Sequence, residues 1–205
     1  YLGLKKFFEG LEVLKAHDAE LSERLRFYQL KSSLLFENAQ ASQAWDVLHA
    51  GIKKFPNELS LAKQKWFYLV ENNLFEISFE AAKEMVDHYK VSALDIARMG
   101  QIYRNHSEYN KAIFLGEIAR LKDPKDEEIT KDLVRSYVKI ENITAAAKLF
   151  SDLSKFHPDY LVEASELWRK AGHDIMAQNL AMEIRSPIKK LKQNITLALL
   201  TEDFN

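Results

Sequence analysis

Lys131, Arg135 and Lys139 are spaced by four, so in a helix their charges stack on one face. Arg104 and Arg169 fall on the neighbouring predicted helices and extend this face into a basic strip. The chemistry of such a strip is recognition: charge-assisted hydrogen bonds to the carboxylates of an acidic peptide segment. Glu128 and Asp132 are interspersed, so the same residues also read as an ordinary solvated face, and the sequence leaves both readings open. Groupings that would do covalent chemistry are missing. The histidines (His17, His49, His88, His106, His157 and His173) include no pair at the i,i+4 spacing that helical metal sites favour. With 0 Cys, disulfides and thiolate metal ligands are excluded. No Gly-rich phosphate loop, nucleophile elbow or carboxylate pair in a recognisable setting occurs. The expectation is no catalytic residue, no cofactor and no metal.

Composition narrows the partners. Lys+Arg 29 against Asp+Glu 30 gives a net charge of −1, with no general attraction to nucleic acid or an acidic membrane. The longest apolar run, Trp66 to Val70, is far short of the roughly 20 residues a membrane helix needs. A chain that is 47% hydrophobic and 29% charged supports a folded core. Its 6 Gly and 4 Pro leave little loop punctuation, which suits helices rather than strands. Cysteine-free composition suits cytoplasm and periplasm alike, and abundant Lys, Asn, Ile and Phe suit a bacterium. Asn105-His106-Ser107, Asn142-Ile143-Thr144 and Asn194-Ile195-Thr196 fit the glycosylation sequon, which matters only for a protein secreted through a eukaryotic pathway.

What must position the strip is a repeat. Pro56, Pro124 and Pro158 are separated by 68 and 34 residues, two periods and then one. Within a period the pattern is a helix pair. Ile96, Met99, Gly100 and Tyr103 share one face, a break follows at Asn105-His106-Ser107, and Ala112, Gly116 and Ala119 line a second helix closed by Asp123-Pro124. Ser92 with Asp95 reads as a capping box, and Asp126, Glu127 and Glu128 suit the positive end of the next helix. The next period repeats the design with Leu133, Val134, Tyr137 and Ile140, then Asn142 in the turn, then Ala146, Phe150 and Leu153, closed by His157-Pro158. Backwards from Pro56, Tyr28 and Leu35 precede Ala44 and Leu48, and Trp66 and Leu69 hold the phase between. The predicted units are 25–58, 59–92, 93–126 and 127–160, in one elongated domain spanning 1–205. Residues 1–24 read as the end of a preceding unit, 161–187 as a short degenerate unit broken at Gly172 and closed by Ser186-Pro187, and 188–205 as the start of another. The expectation is therefore a segment of a longer chain.

These residues resemble the tetratricopeptide repeat family. Its signature is an aromatic, Leu-Gly and Tyr in the first helix, with Ala, Phe and a closing Pro in the second. Met99-Gly100, Tyr103, Ala112 and Pro124 match it, as do Leu133, Tyr137, Ala146, Phe150 and Pro158. Lys31-Ser32 stands where Leu-Gly is usual, Gly116 where Phe is usual, and 59–92 is degenerate. The resemblance covers roughly 25–187. It implies an all-α, right-handed superhelical solenoid of antiparallel helix pairs, in which partners lie along a groove formed by the first helices. That groove would take in Gln29, Ser33 and Phe36, then Lys63 and Phe67, then Ala97, Gln101 and Arg104, then Lys131, Arg135 and Lys139, then Ser165 and Arg169. Phe36 and Phe67 could anchor a partner there or belong to the core, whereas Trp66, Trp168, Tyr103 and Tyr137 lie on the packing stripe. One subgroup grips C-terminal carboxylates with Lys and Asn. Here Phe67 replaces the Asn after Lys63, and Glu128 and Asp132 replace basic residues, against such a role. The resemblance thus implies a non-catalytic scaffold or adaptor for a protein or peptide, and in bacteria a setting such as envelope assembly, secretion or polysaccharide export. The alternatives are a helical-repeat RNA-binding module, against which the charge balance argues, and an assembly or regulatory arm of an enzyme encoded elsewhere in a longer chain.

Overall fold

The computed structural model describes residues 2–183, and among them every regular element is a helix. They fall into two compact units, Tyr1–Val91 and from Ser92 onward. The first unit holds α1 (Leu2–Ala16), the short α2 (Asp18–Leu21), α3 (Leu25–Glu37), α4 (Ala41–Lys54), α5 (Leu59–Glu71) and α6 (Phe75–His88). The second holds α7 (Ala93–Asn105), α8 (Tyr109–Lys122), α9 (Glu127–Lys139), α10 (Ile143–Leu153), a 3₁₀ turn (Pro158–Tyr160), α11 (Leu161–Lys170) and a helix over 174–183, α12. The first helices of the pairs begin at Leu25, Leu59, Ala93, Glu127 and Leu161, every 34 residues.

Each pair turns by the same backbone device. Ala39, Asn73, Ser107 and Glu141, again 34 apart, adopt left-handed φ between 57° and 63°, and Gly172 does so at 78°. In each turn the left-handed residue donates to the carbonyl three back and its successor to the carbonyl five back. In the second pair Asn73 N–H reaches Val70 O at 2.8 Å and Leu74 N–H reaches Leu69 O at 2.9 Å. This satisfies carbonyls that the helix end would otherwise orphan. Gly172 arrives early, so α11 has 10 residues where α3, α5, α7 and α9 each have 13.

The starts of α7, α9 and α10 carry side-chain caps. Ser92 Oγ accepts from Asp95 N–H at 3.1 Å, Asp126 Oδ1 from Ile129 N–H at 2.8 Å and Asn142 Oδ1 from Ala145 N–H at 3.1 Å. One helix end differs from the expectation: α10 stops at Leu153, where the Ser154 hydroxyl folds back onto Ser151 O. Pro158 instead opens the 3₁₀ turn, where its fixed φ and missing N–H cost nothing.

The cores follow the predicted stripes. Leu35, Ala44, Leu48, Trp66 and Leu69 are buried in the first unit; Ile96, Met99, Tyr103, Ala112, Ala119, Leu133 and Ala146 are buried in the second. Small residues set the closest approaches. A Cβ on Gly51 would lie 2.7 Å from Tyr28 Cβ, and one on Gly116 would lie 2.9 Å from Leu133 Cδ1. Ile140 departs from its expected stripe: it caps α9 from outside the helix and is 39% exposed. The expected closure at Ser186-Pro187, the unit at 188–205, the basic run Lys189-Lys190-Lys192 and the Asn194 sequon lie outside the described residues.

Candidate binding surface

On α9 the stripe of Ile129, Leu133, Val134 and Ser136 is buried, which turns Lys131, Arg135 and Lys139 away from the core. The three cations then differ in their surroundings. Lys131 pairs with Glu127 at 2.5 Å and Glu128 at 2.9 Å, and its ammonium stands over the Tyr160 ring at 5.6 Å. Its hydrogen bond to Glu127 raises its pKa well above the ordinary lysine range. The bond from Lys131, with a further one from the Tyr160 hydroxyl, lowers that of Glu127. Burial, and then that bond to Glu127, raises the pKa of Tyr160. Lys131 is thus committed to a local cluster that ties α9 to the 3₁₀ turn.

Arg104 is similarly committed. Its side chain is only 14% exposed, and it donates to Asp132 Oδ1 at 2.7 Å and to Asp132 O at 3.3 Å, joining α7 to α9. The same Oδ1 accepts from Arg135 at 2.7 Å, but Arg135 is 57% exposed and can still meet a ligand. Lys139 and Arg169 are exposed and make no ion pair among the described residues, and Gln101 is exposed on α7. Of the groove residues expected in this unit, Ala97 and Ser165 are buried, and Ser165 Oγ donates to Ala177 O at 2.8 Å. An exposed cation on α7 was missed. Arg98 of α7 has no ion-pair partner among the described residues, and its only sequence signal is that it stands one period before Asp132.

In the first unit, Phe67 is 46% exposed on α5, and Lys63 beside it is half-buried. Phe36 is held in an aromatic stack, 3.6 Å from the Tyr68 ring and edge-on to Trp45 at 5.2 Å. Gln29 and Ser33 belong to a polar layer between α3 and α5. Gln64 Nε2 lies within hydrogen-bond distance of Gln29 O, Ser32 Oγ, Ser33 Oγ and Tyr68 OH, at 2.9 to 3.3 Å, and Tyr68 OH donates to Ser33 Oγ at 3.0 Å. The sequence reading passed over Gln64, one turn before Tyr68. Among the described residues no helix is long and apolar enough to cross a membrane, and no three His, Asp or Glu side chains are grouped to hold a metal ion.

No family model matches the chain, and no curated protein matches it by sequence. Solved structures do. The C-terminal part of a TPR repeat-containing protein from Cytophaga hutchinsonii is 14% identical at a TM-score of 0.56, over 85% of this chain and 71% of that one. YrrB, described as a TPR protein with an unusual peptide-binding site, is 12% identical at 0.51, over 81% and 87%. MamA is 14% identical at 0.50, over 82% and 94%. At such identities the likeness is one of fold: a solenoid of antiparallel helix pairs.

Proposed function

We propose that this chain, a tetratricopeptide-type solenoid by fold, is a non-catalytic scaffold that binds a protein or peptide on its first helices. The observation that carries the reading is the state of the cations on α7, α9 and α11. Arg98, Lys139 and Arg169 are exposed without an ion-pair partner among the described residues, and Arg135 is more than half exposed. The opposite stripes of the same helices are buried. Guanidinium and ammonium groups presented in this way suit carboxylates, so the partner segment is acidic. The peptide-binding site ascribed to YrrB, on a similar fold, supports the class of partner. Lys63, Phe67 and Gln101 are proposed as further contacts, while Arg104 and Lys131 position their neighbours through Asp132 and Glu127. A bacterial setting in envelope assembly, secretion or polysaccharide export accords with this role.

The test is capture of partners from lysate by wild type and by an Arg135→Glu, Lys139→Glu, Arg169→Glu variant whose helix content is unchanged by circular dichroism. Contacts are then mapped by cross-linking. A partner held by wild type, lost by the variant and cross-linked to α9 or α11 is the expected result. A partner retained by both, or cross-linked only to second helices, would overturn the placement.

A further inference from the structure

A second feature lies in the first unit, apart from the α9 strip. Between α1, α2 and α3 is a cavity of about 590 Å³, open to solvent and walled by Leu14, Leu21, Phe27 and Leu30. Arg24, Arg26, Gln29 and Ser33 also line it. The volume is within the roughly 300–1,000 Å³ of small-ligand pockets. Leu30 is 50% exposed, an apolar side chain left half in water beside this space.

The two arginines are exposed, with no ion pair among the described residues, because nearby carboxylates are engaged elsewhere. Asp18 is held by Lys31 at 2.5 Å and Glu23 by Lys54 at 2.6 Å, while Glu20 does not line the cavity. The α3 helix also begins here with no side-chain cap and no acidic residue in its first turn, so its dipole adds to the same positive potential.

The adjoining face of α3, which shares Gln29 and Ser33 with the cavity, shows what such a surface takes. There α5 packs by Gln64 and Tyr68 against Gln29, Ser32 and Ser33. Leu30 stands one period before Gln64, so the cavity lies along the flank that corresponds to the packed face of α5. We propose that this cavity is a docking site for an amphipathic helix of acidic character, its apolar stripe on Leu14, Phe27 and Leu30 and its carboxylates on Arg24 and Arg26. Helix-in-groove binding of this kind uses apolar anchors one turn apart with charge at the rim. A fatty acid, which shares the apolar body and the anionic head, is a poorer match for an open cleft that leaves an acyl chain in water.

The experiment uses a fluorescein-labelled 16-residue helical peptide with Leu on one stripe and Glu on the other. Its Lys-for-Glu and Ala-for-Leu counterparts and a fluorescent fatty acid are run in parallel, read by anisotropy on the full chain. Saturable binding of the Leu/Glu peptide is expected, at least tenfold tighter than either counterpart. It should weaken at least tenfold in Arg24→Glu/Arg26→Glu and in Leu30→Asp, each made in an Arg135→Glu/Lys139→Glu/Arg169→Glu background so that the α9 and α11 cations do not contribute. Arg24→Gln/Arg26→Gln, which removes charge without reversing it, should give an intermediate loss. These side chains are exposed or half-exposed, so melting curves should match wild type. In that background, no saturable binding, equal binding of the Lys peptide, or preference for the fatty acid would each overturn the site. Concentration-dependent dimerisation abolished by Leu30→Asp would also overturn it, by assigning the surface to a second copy.

Discussion

The first unit and the second solve the same packing problem with opposite chemistry. Where α3 meets α5, the contact is a neutral layer: the Gln64 amide shared among a carbonyl and three hydroxyls, beside the Phe36–Tyr68 stack. Where α7 meets α9, it is ionic: Arg104 on Asp132, with Arg135 on the same oxygen. Both units use the same left-handed turn, and α3, α5, α7 and α9 each keep 13 residues. The backbone geometry is thus the constant, and the side chains need only satisfy it. In a repeat stack, stability is a sum of such interface terms, so each can be broken separately.

The largest difference should come from removing the central polar group of each layer, the Gln64 amide that donates in the first unit and the Asp132 carboxylate that accepts in the second. Asp132→Ala leaves the largely buried Arg104 guanidinium without its carboxylate and should cost about 2–3 kcal/mol in denaturant unfolding. Gln64→Leu should cost about 1–2 kcal/mol, because Ser33 and Tyr68 still bond one another. An equal or reversed cost would break the contrast. The glycines sharpen it next. Gly51→Ala presses on Tyr28 Cβ and Cγ, at 2.7 and 2.9 Å, which cannot swing aside. A loss of about 1–3 kcal/mol is expected despite the better helix propensity of Ala. Gly116→Ala meets the flexible end of Leu133 and should change stability by less than about 1 kcal/mol.

Acid should act through the ionic unit. Burial pushes the Asp152 carboxyl up, but Lys155 and Arg120 outweigh it and leave the pKa below its ordinary value of 3.8. Its contribution is therefore present above that value and lost as pH falls through the lower, folded one. Asp152→Asn should flatten the acid limb of a stability–pH curve below about pH 4, and an unchanged limb would rule the group out. The smallest effects should be alike in both units. Ala39→Gly and Glu141→Gly relieve a left-handed φ of 58° and 61° and should each stabilise by at most about 1 kcal/mol, read from local hydrogen exchange.

The sequence exposed the stack because burial imposes a period. The prolines set a 34-residue phase on which the first helices begin, and Trp66, Tyr103, Ala112 and Leu133 fall on the stripe that is buried. The shared turns were hidden because Ala39, Asn73, Ser107 and Glu141 have only a dihedral angle in common. Much of the basic strip was hidden for a different reason. Glu128 and Asp132 were visible among the cations, but only three-dimensional neighbours decide that Lys131 and Arg104 are committed while Lys139 and Arg169 are not. The α1–α3 cavity has no local signature, since its walls come from three elements.

The early turn at Gly172 has a consequence for reach. A helix shorter by three residues is shorter by about 4.5 Å. On α9 the outward face is a ladder of three rungs, Lys131, Arg135 and Lys139. On α11 the matching rungs are Ser165, already turned inward, and Arg169. The residue one period beyond Lys139 is His173, which has left the ladder and lies past the turn with its ring edge-on to Trp168 at 5.2 Å. The ladder therefore tapers to a single cation at this end.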